Sequence, residues 1–210
     1  MTTGEWLCYF LCMTTTKEKQ CLKALASVRS GLVLSRKKSK GGEGELYALL
    51  TLRSVKEEGE LDMSAVDMYV SASVLPGVYQ TSVGDVVVRL TWPYSAVLID
   101  EQSSGMLVSS HFVIIRPDKE KLDSGYLHWV LNRQSTRRRI YENTSANMLN
   151  AVRPQFFSEL QITLPPMAEQ RKIAELQLLS RREQVLLKML MEERSNLTRA
   201  LTGNIYNKTV

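Results

Sequence analysis

The feature that most constrains this fold lies near the end of the chain. Pro165-Pro166 separates an apolar segment, Phe156 to Leu164, from a long charged run that opens at Met167. The residue before a proline is driven out of the α region, so the apolar segment should end extended. Pro166 suits the first turn of a helix, where its missing N–H costs nothing. The chain must therefore change at this point from a packed body to a helix. A helix from about Met167 to Leu201 is long against the usual three or four turns. Alternate steps of three and four meet Leu176, Leu179, Glu183, Leu186, Leu190, Glu193, Leu197 and Ala200, six of them apolar. This is a heptad seam interrupted by two glutamates. The alternative is a helix packed on its own domain, but one of this length outruns the body, which favours a partner in another chain or repeat.

The 210 residues, 44% hydrophobic, suffice for one or two domains with a real core. No apolar run is long enough to cross a bilayer. The apolar patch from Trp6 to Met13 has no basic residue before it and makes a poor signal peptide. Residues 1–16 are expected to be an extension, with Met13 an alternative start. Cys8, Cys12 and Cys21 form neither a CxxC pair nor a group with histidine, which suggests reduced thiols in the cytoplasm rather than disulfides or zinc. The net charge of +5 is unevenly spread. Residues 29–56 carry +5, residues 57–130 carry −7 and residues 131–153 carry +4. If the fold unites the two basic segments on one face, that face suits phosphates. Solvated surface decoration is the alternative for any one run.

Residues 17–28 fit a short helix or a leading strand equally well. Leu32 to Gly44 ends in a Gly-, Ser- and Lys-rich loop. Leu46 to Leu52 has β character, and residues 53–82 hold turns and acidic patches. Val83 to Leu90 is the clearest strand, opening at a Gly-Asp turn. Ser95 to Ile99 and Leu107 to Arg116 follow as strands, with the loop Thr91-Trp92-Pro93-Tyr94 between the first two. Ser124 is expected to N-cap a helix running to about Tyr141, with Tyr126, Val130 and Arg137 near one face. A polar loop, Glu142 to Asn150, leads to the Phe156–Leu164 segment.

Catalytic patterns are missing. Pro165-Pro166 is flanked by Leu164 and Met167, not by the polar and aromatic residues of an adenine-methyltransferase loop. Gly41-Gly42-Glu43-Gly44 lacks the Lys-Ser/Thr of a phosphate-binding loop. Pro117-Asp118 has no Asp/Glu-x-Lys partner to complete a nuclease site. His111, in a strand, and His128, in a helix, form no ligand cluster and read as structural.

The junction Leu-Pro-Pro-x-x-Glu-Gln-x-x-Ile, from Leu164 to Ile173, resembles that of type I restriction–modification specificity subunits. Leu22 to Arg36, the strand Val83 to Leu90, the unit Ser109 to Asn132 and the run from Asn143 to Ala174 resemble the same family, in order. The resemblance covers residues 20–200. It implies a mixed α/β (α+β) target-recognition domain over residues 17–164, a coiled-coil-type spacer or dimerisation helix over 165–203 and a tail over 204–210. By resemblance the chain is no enzyme. It would bind double-stranded DNA and hold a methylation subunit, and in a full complex a motor–nuclease subunit. S-adenosylmethionine, ATP and Mg would belong to those partners, with none of them bound here. Such subunits usually carry two recognition domains and two helices, and this chain carries one of each. It would pair with itself, through Leu176, Leu179, Leu186, Leu190 and Leu197, or with another half-subunit.

DNA binding asks for phosphate contacts from Lys/Arg and base-edge contacts from loops. Arg36, Lys37, Lys38 and Lys40 suit phosphates, with solvated decoration as the alternative, and Arg53 is a further DNA-binding candidate. Arg89 beside Trp92 and Tyr94 suits a guanine edge, with a packed aromatic turn as the alternative. Asn143, Thr144, Ser145 and Asn147 suit adenine or phosphate, or simply a turn. Of Arg137, Arg138 and Arg139, at most two reach one groove; Arg137 and Arg138 are the candidates. Competing with the DNA-reading subunit are an assembly module that docks a partner without reading DNA, and a stand-alone nuclease.

Overall fold

The computed structural model describes residues 19–34, 44–144 and 151–209. The body is a three-layer sandwich whose middle layer is the sheet β2-β8-β5-β6: β2 is Ala26–Ser30, β8 Phe112–Pro117, β5 Val86–Arg89 and β6 Ala96–Leu98. All its pairings are antiparallel. The run Val86-Val87-Val88 is buried on both sides because the pleat sends alternate residues to opposite faces. Val86, Val88, Val113 and Ile115 pack with Leu22, Tyr126, Leu127, Leu131, Ile140 and Phe157. Val87, Val97, Phe112 and Ile114 join Leu50, Val55 and Val108 on the other face. Helices α1 (Ser124–Asn132), α2 (Gln134–Thr144) and α3 (Pro154–Glu159) supply the first layer. The third layer contains a sheet in the order β4-β3-β7, with β3 at Glu45–Leu50, β4 at Asp67–Ser71 and β7 at Leu107–Val108.

The Gly-Asp turn before β5 has a structural purpose. Gly84 adopts φ 91°, a region that favours glycine. Asp85, 1% exposed, accepts from Arg116 Nε at 2.7 Å and Nη2 at 2.8 Å and from the Ser82 amide at 2.8 Å. Those bonds from Asp85 raise the Arg116 pKa above its ordinary value.

Several local expectations are corrected. Residues 19–30 alternate short elements, β1 (Lys19–Cys21), a 3-10 turn at Leu22–Ala24 and β2, because Leu22 and Leu25 both turn into the core. The strand expected at Leu107–Arg116 is broken by a turn closed by Phe112 N donating to Ser109 O at 3.1 Å, and His111 sits exposed in it. Asp123, not Ser124, caps α1, its carboxylate accepting from the Tyr126 amide at 2.9 Å. The expected single helix ends at Asn132, whose side chain binds both backbone groups of Ala96 (3.1 and 2.9 Å), and α2 starts afresh. Glu142 to Thr144 are helical, and 145–150 lie outside the described residues. Phe156 belongs to α3, and only β9 (Gln161–Thr163) is extended before the prolines. β9 pairs with β1, closing the body.

α4 spans Met167–Thr209, 43 residues, about 64 Å at the usual rise. It runs through the expected tail because no residue there breaks it; Gly203 alone costs only about 1 kcal/mol. Its first turns dock on α1. The buried Gln170 accepts from the Asp123 amide at 2.9 Å and donates to the carbonyls of Pro165 at 2.9 Å and Lys121 at 3.2 Å. Gly125 lets the helices meet: a Cβ there would lie 2.8 Å from that of Ala174. The last hydrogen bonds from α4 to the body among the described residues come from Arg181, which donates to the Glu58 carbonyl and lies 3.2 Å from His128 Nε2. Burial, then the Arg181 charge, lowers the His128 pKa to about 4.

Candidate nucleic-acid interface

The turn between β5 and β6 and the exposed side of α2 form one surface. Tyr94 takes φ 57°, which turns its ring inward, where it is 2% exposed with its hydroxyl 3.0 Å from Thr144 Oγ1. Trp92 points the other way, 64% exposed, with edge contacts to Tyr94 (6.0 Å) and Tyr141 (6.4 Å). Tyr141 is itself more than half exposed. Thr91 bridges Ala151, so the chain leaves α2 at Thr144 and returns beside Trp92. Between Trp92 and α2 lies an open concavity bordered by Asn132, Gln134, Arg137, Arg138 and Tyr141.

The expected contact residues divide by what their side chains touch. Arg89 donates from Nη1 to the carbonyls of Leu52 and Val55 (both 3.3 Å) and from Nη2 to that of Trp92 (3.1 Å). Burial lowers its pKa from the ordinary value. The packed aromatic turn, weighed as the alternative for Arg89, is what forms, and its guanidinium is not presented outward. Tyr94 and Thr144 satisfy each other inside. Arg137 donates to the Glu57 carbonyl at 2.9 Å and Asn132 Oδ1 at 2.7 Å, and burial lowers its pKa too.

Trp92, Arg138 and Asn143 face solvent. Arg138 forms an exposed helical pair with Glu142 at 3.0 Å, of the kind worth a few tenths of a kcal/mol. Arg139 reaches the Gln161 carbonyl at 3.3 Å, so the three arginines point to three different neighbours. Arg53 forms an exposed pair with Asp67 at 3.0 Å. Arg36, Lys37, Lys38, Lys40, Ser145 and Asn147 lie outside the described residues. Tyr141 was not among the expected residues. Its signal was available, since an aromatic three residues after Arg138 shares that residue's face of a helix.

On α4, Leu176, Leu179, Leu186, Leu190 and Leu197 are each more than half exposed. At about 100° per residue they lie roughly opposite Gln170, Ala174 and Arg181, which hold the body. The seam therefore faces outward.

No family model matches the chain, and no curated protein matches it by sequence. Solved structures do match. The HsdS subunit from Thermoanaerobacter tengcongensis superposes with TM-score 0.61 at 16% identity, over 85% of this chain and 46% of that one. The type I restriction–modification S subunit from M. genitalium gives 0.54 at 15% identity, over 87% and 44%. The fold is that of a type I specificity subunit. A chain from a structure concerned with complex assembly and conformational transition of the type I R-M system gives 0.62 at 16% identity, over 85% and 46%. This chain spans less than half of each. The specificity-subunit fold accounts for the mixed α/β body and for the long helix beyond it.

Proposed function

We propose that this chain is a non-catalytic, sequence-specific DNA-recognition half-subunit of a type I restriction–modification assembly. It would direct adenine methylation and restriction by partner subunits that carry S-adenosylmethionine, ATP and Mg. One observation carries the reading: a body with the specificity-subunit fold continues into a helix that projects past it with an exposed leucine seam. The seam supplies the second recognition body through another helix, and the pair holds the methylation subunit. The DNA-facing surface is the concavity of Trp92, Arg138 and Tyr141, with the exposed Asn143 two residues further along α2. Here stacking faces and an exposed cation lie near Ala151, with basic segment 35–43 as a further source of phosphate contacts.

A second reading, an assembly module that no longer reads DNA, is favoured by the internal use of Arg89, Tyr94, Arg137 and Thr144. Co-purification with the cognate methylation subunit, followed by genome-wide mapping of methylated adenines, separates the two. One gapped motif supports the half-subunit. A stable complex without any motif supports the module, and no complex sinks both.

A further inference from the structure

Trp92 and Tyr141 are large rings left outside the core. They are 64% and 54% exposed, although burying either ring would be favourable. The indole meets Tyr141 at 77° and Tyr94 at 88°, so neither partner lies flat on it. With most of its surface in solvent, Trp92 keeps a face open for stacking. Opposite it, Gln134, Arg137, Arg138 and Tyr141 form one stripe along α2, at the i, i+3, i+4, i+7 spacing. Thr136, Ile140 and Thr144 bury the other side of that helix, so the stripe faces outward. The concavity between Trp92 and the stripe has a volume of about 650 Å³.

A concave surface cannot enter a DNA groove, which admits a convex element such as a helix. What fills a concavity must protrude from the DNA, and only a phosphate or a base turned out of the stack does so. A phosphate calls for clustered donors. Aromatic walls call for a flat ring. We propose that this concavity holds a base that has left the duplex stack, lying against Trp92. This rests on the DNA-facing role given to the surface above and adds what the surface takes.

The polar groups around the aromatic walls match the remaining parts of one nucleotide. Gln134, exposed at the rim, both donates and accepts, which suits the pairing edge of any base. Arg138 suits the phosphate of the same nucleotide, and its exposed pair with Glu142 at 3.0 Å opens at little cost. The Glu57 carbonyl and Asn132 hold the Arg137 guanidinium inward, which keeps a second positive charge in the lining. The reaction assigned to the partner subunit supplies such a base. An enzyme that modifies a base takes it out of the stack, and the base opposite is left unpaired. Holding that second base on Trp92 stops the duplex from closing again. Stacking is indifferent to base identity, because every base has a π face.

The test uses the full chain and fluorescence anisotropy at low salt, with three short labelled duplexes. One is fully paired, one carries a single unpaired adenine, and one has an abasic nucleotide in place of that adenine. The unpaired adenine should tighten binding roughly tenfold over the paired duplex, the effect of one base stacked on an aromatic ring. The abasic nucleotide keeps the local flexibility but offers no ring, and should bind like the paired duplex. Trp92→Ala should abolish the preference for the unpaired adenine, whereas Trp92→Phe should keep most of it. Tryptophan emission should fall when the wild-type chain binds the unpaired adenine, and that fall should vanish in Trp92→Phe. Trp92 is exposed, and an unchanged melting curve for both variants would show the body intact. Equal affinity for the paired and adenine duplexes, equal affinity for the adenine and abasic duplexes, or a preference that survives Trp92→Ala would each overturn the proposal. All three leave duplex recognition standing. No binding to any duplex would sink the DNA-facing role of this surface, and the proposal with it.

Discussion

Arg89 shows how a side chain's partners decide its role. Its Nη1 and Nη2 groups donate to three carbonyls of a half-buried turn, while its buried Nε has no hydrogen-bond partner among the described residues. Arg89→Ala should therefore cost about 1–3 kcal/mol in urea denaturation through unsatisfied acceptors. Arg89→Lys should recover little, since an ammonium cannot span the fork. Arg138→Ala should leave stability nearly unchanged and lower the slope of log affinity against log salt by about one. His128 gives a pH signature. Its folded pKa of about 4 lies below the ordinary value of 6.5, so the folded state prefers the neutral ring. Burial and the charges of Arg181 and Arg137 disfavour the proton, against backbone hydrogen bonds at Gly59 and Ala96. Stability from this group is whole above pH 6.5 and lost as pH falls towards 4, at most about 3 kcal/mol. Thermal melts across that window should be steeper in pH for the wild type than for His128→Gln.

At the scale of elements, the joint between body and helix depends on a missing side chain. Gly125→Ala would put a Cβ 2.8 Å from that of Ala174, which has no flexible end to yield. The helices must part, at about 1–3 kcal/mol. Hydrogen exchange over residues 167–181 should quicken, and Ala174→Gly in the same chain should restore part of the loss. Elements were legible where pattern and burial agree: the Val86–Arg89 strand and the start of α4 at the prolines. They were not legible where a tertiary contact overrides local preference. Asn132 ends α1 because Ala96 lies within reach of its amide, 36 residues away in sequence. Phe156 is helical because α3 packs beside β2 and Leu22.

For the whole molecule, the contrast is between a body with two buried sheet faces and a helix mostly without contacts. Beyond Arg181, α4 has no core to hold it, and helices in proteins draw most of their stability from packing an apolar face. Amides of residues 182–209 should exchange quickly at low protein concentration and gain protection as concentration rises, while those of β5 and β8 stay slow throughout. Protection independent of concentration would mean that the overhang is held within the single chain.

The sequence by itself determined the change from body to helix at Pro165-Pro166, the spacing of the leucines along that helix and the strand at Val86. These are local in origin: a proline's geometry and the spacing of apolar residues act wherever the chain goes. Only the tertiary structure decided which arginines stay at the surface. Arg89 and Arg137 look like Arg138 in composition and neighbourhood, yet they are drawn inward by carbonyls of residues 52, 55 and 57. A buried acceptor must be satisfied by whatever donor the fold brings near, and nothing in the local sequence records which one that will be.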